Sequence, residues 1–152
     1  MSDQELRELL LVTLDYTYRH DDWSHPLVDV LDGLSAAQAD KRPGNDLMSV
    51  WDIVLHLAVW NENIIERVQT SQKAHPSEGA WPTKPDDRSE IEWGKAKARL
   101  WKSLDDLVEM IKTTPIEKIQ ASPYGIPDLM CRFTHLAYHI GQIVKLRECY
   151  GW

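Results

Sequence analysis

His135 and His139 stand four residues apart in the stretch Thr134-His135-Leu136-Ala137-Tyr138-His139-Ile140-Gly141-Gln142. On a helix that spacing puts both imidazoles on one side, on successive turns. Two such rings can grip one divalent ion, but two ligands leave a poor site. His56 is the third candidate. It lies in the apolar run Ile53-Val54-Leu55-His56-Leu57-Ala58-Val59-Trp60, one turn after Asp52 and one turn before Trp60. Three neutral imidazoles with a fourth position open form a metal centre of the kind that polarises a substrate or acidifies a bound water or thiol. Carboxylates often orient such rings, and Asp52 and Glu62 are the acidic neighbours of His56. A structural alternative stands beside this reading. His-x-x-x-His pairs arise often by chance, and a core histidine satisfied by a nearby carbonyl accounts for His56 equally well.

The elements that must position these rings are helices. From Asp128, a plausible cap, to about Cys149, residues Leu129, Phe133, Leu136, Ile140 and Ile143 fall on one stripe. Measured from Leu136, His139 sits about 60° and His135 about 100° to the same side of that stripe. Both therefore flank the core, with Cys131 further round. His56 belongs to a helix over about 49–70, opened by Ser49 and Asp52 as a variant capping box and apolar around much of its perimeter through residue 60. If this helix faces the last one, His56 meets the pair.

Two further arms complete the pattern. Leu6, Leu10, Leu14 and Tyr18 recur every four residues, and Leu27, Val30, Leu31 and Leu34 form a second stripe that Ser24 can cap. These read as one arm bent near His20-Asp21-Asp22-Trp23. Ser89-Glu90-Ile91-Glu92 fits a capping box and starts a helix running to about residue 112. Residues 35–48 and 114–127 read as connectors, the first with a helical turn over Ala36–Ala39. Residues 71–88 are polar and carry Pro76, Gly79, Pro82 and Pro85, with Trp81 as the one large apolar residue. Loops of this length are often functional. Strand alternation is absent, so the fold class is all-α, a four-helix bundle with a bent first arm and long connectors, in a single domain over 1–152.

Bulk properties exclude several function classes. A net charge of −7 argues against general binding to nucleic acid or anionic membranes. No apolar run approaches the roughly 20 residues of a membrane span, and the N-terminus lacks the basic start of a signal peptide. Cys131 and Cys149, if on one helix, lie about 27 Å apart and cannot bridge. A reducing, cytoplasmic location is the expectation. Seven tryptophans offer apolar faces on which a homodimer could form.

The segment Trp51-Asp52-Ile53-Val54-Leu55-His56-Leu57-Ala58-Val59-Trp60-Asn61-Glu62 resembles the second-helix signature of the DinB-like superfamily of bacterial four-helix bundles. Ala137-Tyr138-His139-Ile140-Gly141-Gln142, followed by Leu146-Arg147, resembles that family's last-helix signature. Leu31-Asp32-Gly33-Leu34-Ser35 with Arg42-Pro43 is similar to its first connector. The resemblance implies a divalent metal ion (zinc, nickel or iron) held by His56, His135 and His139. It also implies a small-molecule substrate and a low-molecular-weight thiol, since relatives include bacillithiol- and mycothiol-dependent S-transferases and isomerases. The expected function is thus a metal-dependent thiol S-transferase. The alternatives are a metal-dependent hydrolase, or a metal-binding stress or sensor protein without turnover. Trp60, Gln142, Cys131 and His25 are candidate pocket residues: Gln142 to orient His139, Cys131 as an extra ligand or nucleophile, and His25 at the break in the first arm. A helix-packing hydrogen bond accounts for Gln142 equally well; for Trp60, Cys131 and His25 a packing or surface role is the plainer reading.

Overall fold

A computed structural model describes residues 1–152. Seven helices follow in order: α1 (Asp3–Tyr18), α2 (Leu27–Leu31), α3 (Ala36–Asp40), α4 (Val50–Thr70), α5 (Glu90–Thr113), α6 (Ile116–Ala121) and α7 (Gly125–Tyr150). There are no strands. The four long helices close a ring, α1 against α5, α5 against α4, α4 against α7 and α7 against α1. No helix is long and apolar enough to cross a membrane.

Apolar periodicity explains which faces meet. Leu10 and Leu14 of α1, Leu100, Leu104 and Leu107 of α5, and Leu129 and Ile143 of α7 are fully buried. On α4, every residue from Val50 to Val59 is buried. A helix enclosed on all sides carries its one mid-run histidine inside with it, and this places His56 in the interior.

Local chemistry sets the boundaries. Ser49 and Asp52 form the capping box at the start of α4, each side chain bonded to the other's backbone N–H. The box read at Ser89 forms only in half. Ser89 accepts from the N–H of Glu92, but the Glu92 carboxylate turns outward to Lys95 at 2.6 Å. The second stripe of the first arm is cut short. Pro26 takes the cap position in an extended conformation, Ser24 lies outside, and α2 is five residues long. Arg147 of α7 donates to the carbonyls of Val30 and Asp32 at 3.0 and 2.8 Å, which ties this short helix down.

The last helix starts earlier than its side chains suggest. Tyr124 and Gly125 both take positive φ, and α7 begins at Gly125 rather than at Asp128. Pro127 is tolerated because N–H groups in the first turn have no partner within the helix. A Cβ on Gly125 would lie 2.9 Å from the Gln120 carbonyl oxygen, so the turn requires glycine. Asp128, released from capping, pairs with Arg67 at 3.1 Å. The connector before it contains α6, whose Ile116 and Ile119 are buried against the core.

Candidate metal centre

The buried run of α4 and the flank of α7 bring three rings together. His56 Nε2 lies 3.0 Å from His135 Nε2, and His139 Nε2 lies 3.0 Å from the same atom. His56 and His139 are 5% and 3% exposed, while His135 is half-buried. His56 has the carbonyl partner expected of a core histidine, and it also faces the other two rings. Its Nδ1 is satisfied by a backbone carbonyl, that of Ala80 at 2.6 Å, and its Nε2 is turned to the other two rings.

Hydrogen bonding fixes what the Nε2 atoms can do. The Ala80 carbonyl only accepts, so the proton of neutral His56 sits on Nδ1 and leaves Nε2 as a bare lone pair. Gln142 Oε1 accepts from Nδ1 of His139 at 2.7 Å, with the same effect there. Gln142 is held in turn by its Nε2 donating to the Tyr138 hydroxyl at 2.8 Å. Two bare nitrogens therefore face His135 Nε2, which as a donor could satisfy only one of them. Such converging lone pairs are repulsive without a cation. Nitrogens placed tetrahedrally at about 2.0–2.1 Å from zinc lie about 3.3 Å apart, close to the observed spacing. The donor set fits a divalent ion.

The protonation equilibria agree. Burial, then Arg132 and the other two histidines, push His135 down to about 3. Burial and His56 push His139 down to about 4, against the opposing bond from Gln142. His56 is lowered by burial, against the bond to Ala80. All three are neutral at physiological pH, the form a metal requires.

The long loop between α4 and α5 completes the site. It carries Ala80 to His56 and stacks Trp81 on the same ring, with centroids 3.9 Å apart and planes 18° apart. A cleft of about 790 Å³ opens on the cluster, with Met48, Trp81, Tyr138, Gln142, Lys145 and Leu146 among its walls. Of the candidate pocket residues, Gln142 lies here. Trp60 and Cys131 line a second cleft, which shares His135 with the first. His25 lines a third, with Arg147 and Trp152, away from the cluster. Cys131 is exposed and stands outside the group that could hold an ion. Asp52 and Glu62 do not orient the rings: Asp52 is engaged by Ser49, Lys84 and Arg42, and Glu62 by Arg99. Gly141 mediates no close helix contact, since a Cβ there would meet open space.

Residues 23–143 match the family model of the DinB superfamily. The chain belongs to the DinB superfamily. No curated protein and no solved structure matches it. The DinB match spans all three histidines and the loop that carries Ala80 and Trp81. Family and histidine geometry together are compatible with metal binding.

Gln142 gives a test of how the site is held. Gln142→Leu removes the acceptor on His139 Nδ1, and metal affinity should fall by about 10- to 100-fold. Gln142→Glu keeps an acceptor and should stay near wild type. Competition with a chromophoric chelator reads both, and equal affinity in all three proteins would remove Gln142 from the site.

Proposed function

We propose that the protein is a metal-dependent enzyme acting with a low-molecular-weight thiol, as an S-transferase. The observation that carries this reading is the placement of three neutral, converging Nε2 atoms on the wall of a 790 Å³ cleft. That volume lies in the upper part of the roughly 300–1,000 Å³ range of small-molecule sites, which leaves room for two reactants side by side. A divalent ion held by His56, His135 and His139 supplies Lewis acidity that favours thiolate over thiol.

The chain's own residues do the rest. Trp81 covers the His56 side and keeps water from that ring. Tyr138 and Gln142 hold the proton on His139 Nδ1, so that its Nε2 lone pair would remain available to the ion. Met48, Leu47 and Leu146 give the cleft an apolar wall for an organic electrophile. In the transfer, the sulfur–carbon bond forms as the leaving group departs with its electron pair, and the thiol proton passes to solvent.

Cobalt-substituted protein tests this directly. Addition of cysteine or 2-mercaptoethanol should produce a sulfur-to-cobalt charge-transfer band. The loaded protein should then release chloride from an activated aryl chloride only when thiol is present. A cobalt spectrum unmoved by thiols would indicate a saturated ion and a binding role without turnover.

A further inference from the structure

Three buried polar atoms without a partner belong to residues that line one place, the second cleft of about 340 Å³. They are Nη2 of Arg132, Nε1 of Trp60 and Nδ1 of His135. Arg132 is only 7% exposed. Its Nε donates to Asn61 Oδ1 at 3.0 Å, a neutral amide. The one carboxylate on the cleft, Asp128, is already held by Arg67 at 3.1 Å. Burial pulls Arg132 down to about 9, against the opposing pull of Asp128, so the guanidinium is still cationic at neutral pH.

A buried cation without its own anion is among the costliest arrangements in a fold. This chain has acids to spare, with a net charge of −7, yet none pairs with Arg132. The charged residues on the cleft are two arginines and one aspartate, an excess of one positive charge. The unpartnered groups of Arg132 and Trp60 can only donate. His135 Nδ1 also becomes a donor when Nε2 ligates a metal. The other two histidines have acceptors in Ala80 and Gln142, and His135 alone has none. The missing component is thus an acceptor carrying one negative charge.

We propose that this second cleft binds a small organic monocarboxylate, its oxygens accepting from Arg132 and Trp60 and its short apolar body lying against Ile64 and the Trp60 ring. A carboxylate carries a single charge at neutral pH and offers two acceptor oxygens, which matches the excess charge and the donor set. An inorganic phosphate dianion overcompensates the cleft and leaves Ile64 uncovered. Because His135 lines both clefts, the carboxylate sits beside the histidine cluster. Only the His135 donor rests on the metal reading, since Arg132 and Trp60 lack partners with or without an ion.

The test is an NMR titration of the full chain with acetate, butyrate, inorganic phosphate and chloride at constant ionic strength, following the Trp60 indole N–H and the Arg132 Nε–H. Butyrate should give saturable shifts at concentrations at least about tenfold below those where chloride acts, and should bind more tightly than acetate. Arg132→Gln should abolish the response. Arg132→Lys, which keeps the charge and loses the fork, should weaken it by about tenfold or more. The response should persist in His56→Ala protein, which separates this inference from the metal reading. Absence of a saturable Trp60 or Arg132 shift in wild type overturns the proposal. So does Arg132→Gln binding as wild type does, and phosphate binding more tightly than butyrate overturns the carboxylate assignment.

Discussion

His56→Ala protein will retain less than about a tenth of the divalent metal that wild type holds after the same reconstitution, and its melting temperature will no longer respond to chelator. The three rings are one unit. His135 Nε2 is the shared neighbour of the other two, and deleting His56 leaves an i,i+4 pair on one helix, the poor two-ligand site. The stability consequence follows from linkage, because an ion that binds only the folded chain stabilises it in proportion to its saturation. At a free metal concentration of about 1,000 times Kd the gain is about 4 kcal/mol, or roughly 10 °C in melting temperature for a chain of this size. Wild type stripped with a chelator should lose that increment, and His56→Ala should begin without it. Metal-free wild type and His56→Ala should differ less, by the cost of leaving the Ala80 carbonyl unpartnered, about 1–3 kcal/mol. Metal analysis and calorimetry with and without chelator separate the two contributions. Stoichiometric metal in His56→Ala, with a wild-type chelator response, would sink the three-histidine centre.

The parts of this site that were legible in the sequence are those set by local repetition. Four-residue spacing placed His135 and His139 on one side of α7, and the all-round apolar run of α4 placed His56 inside. The capping pair Ser49 and Asp52 fixed where α4 starts. The rest depends on contacts between segments distant in the chain. Ala80 holds His56 through a backbone carbonyl, which every residue has and no sequence pattern marks. Trp81 left a faint trace as the one large apolar residue of a polar loop. The start of α7 was obscured because Asp128 is a good capping type, whereas the true start uses left-handed backbone at Tyr124 and Gly125. Arg132 also has a signal in the sequence. It precedes Leu136 by four residues and so lies about 40° from that residue on the wheel, on the same side as the two histidines and next to the edge of the core stripe.

Lys84→Met will destabilise the protein by about 3 kcal/mol, or roughly 10 °C in melting temperature, and will weaken metal binding although Lys84 touches no histidine. Its side chain is 8% exposed and lies among Asp40, Ser49 Oγ at 3.1 Å and Asp52 at 3.4 Å. It therefore pins the end of the 71–88 loop to α3 and to the start of α4. Four residues earlier the same loop presents the Ala80 carbonyl to His56, and three residues earlier it presents Trp81. Removing one partner of a buried ion pair leaves the other desolvated, which sets the size of the loss. Arg42 remains 3.1 Å from Asp52, which keeps it at the lower end of the range. The effect has a pH signature. Burial alone would raise the Asp52 pKa, but the hydrogen bonds from Ser49 and the charges of Lys84 and Arg42 outweigh it and hold the folded value below normal. A depressed folded pKa contributes stability that is present above the unfolded value and lost as pH falls through the folded one. The gap between wild type and Lys84→Met should therefore be widest near neutrality and shrink as Asp52 takes up its proton. Freed of its anchor, the loop no longer fixes the His56 ring, and metal affinity should drop by about tenfold. Urea melts across pH 3–7, paired with chelator competition at pH 7, read both parts. A destabilised variant with unchanged metal affinity would show that the loop positions Ala80 without Lys84.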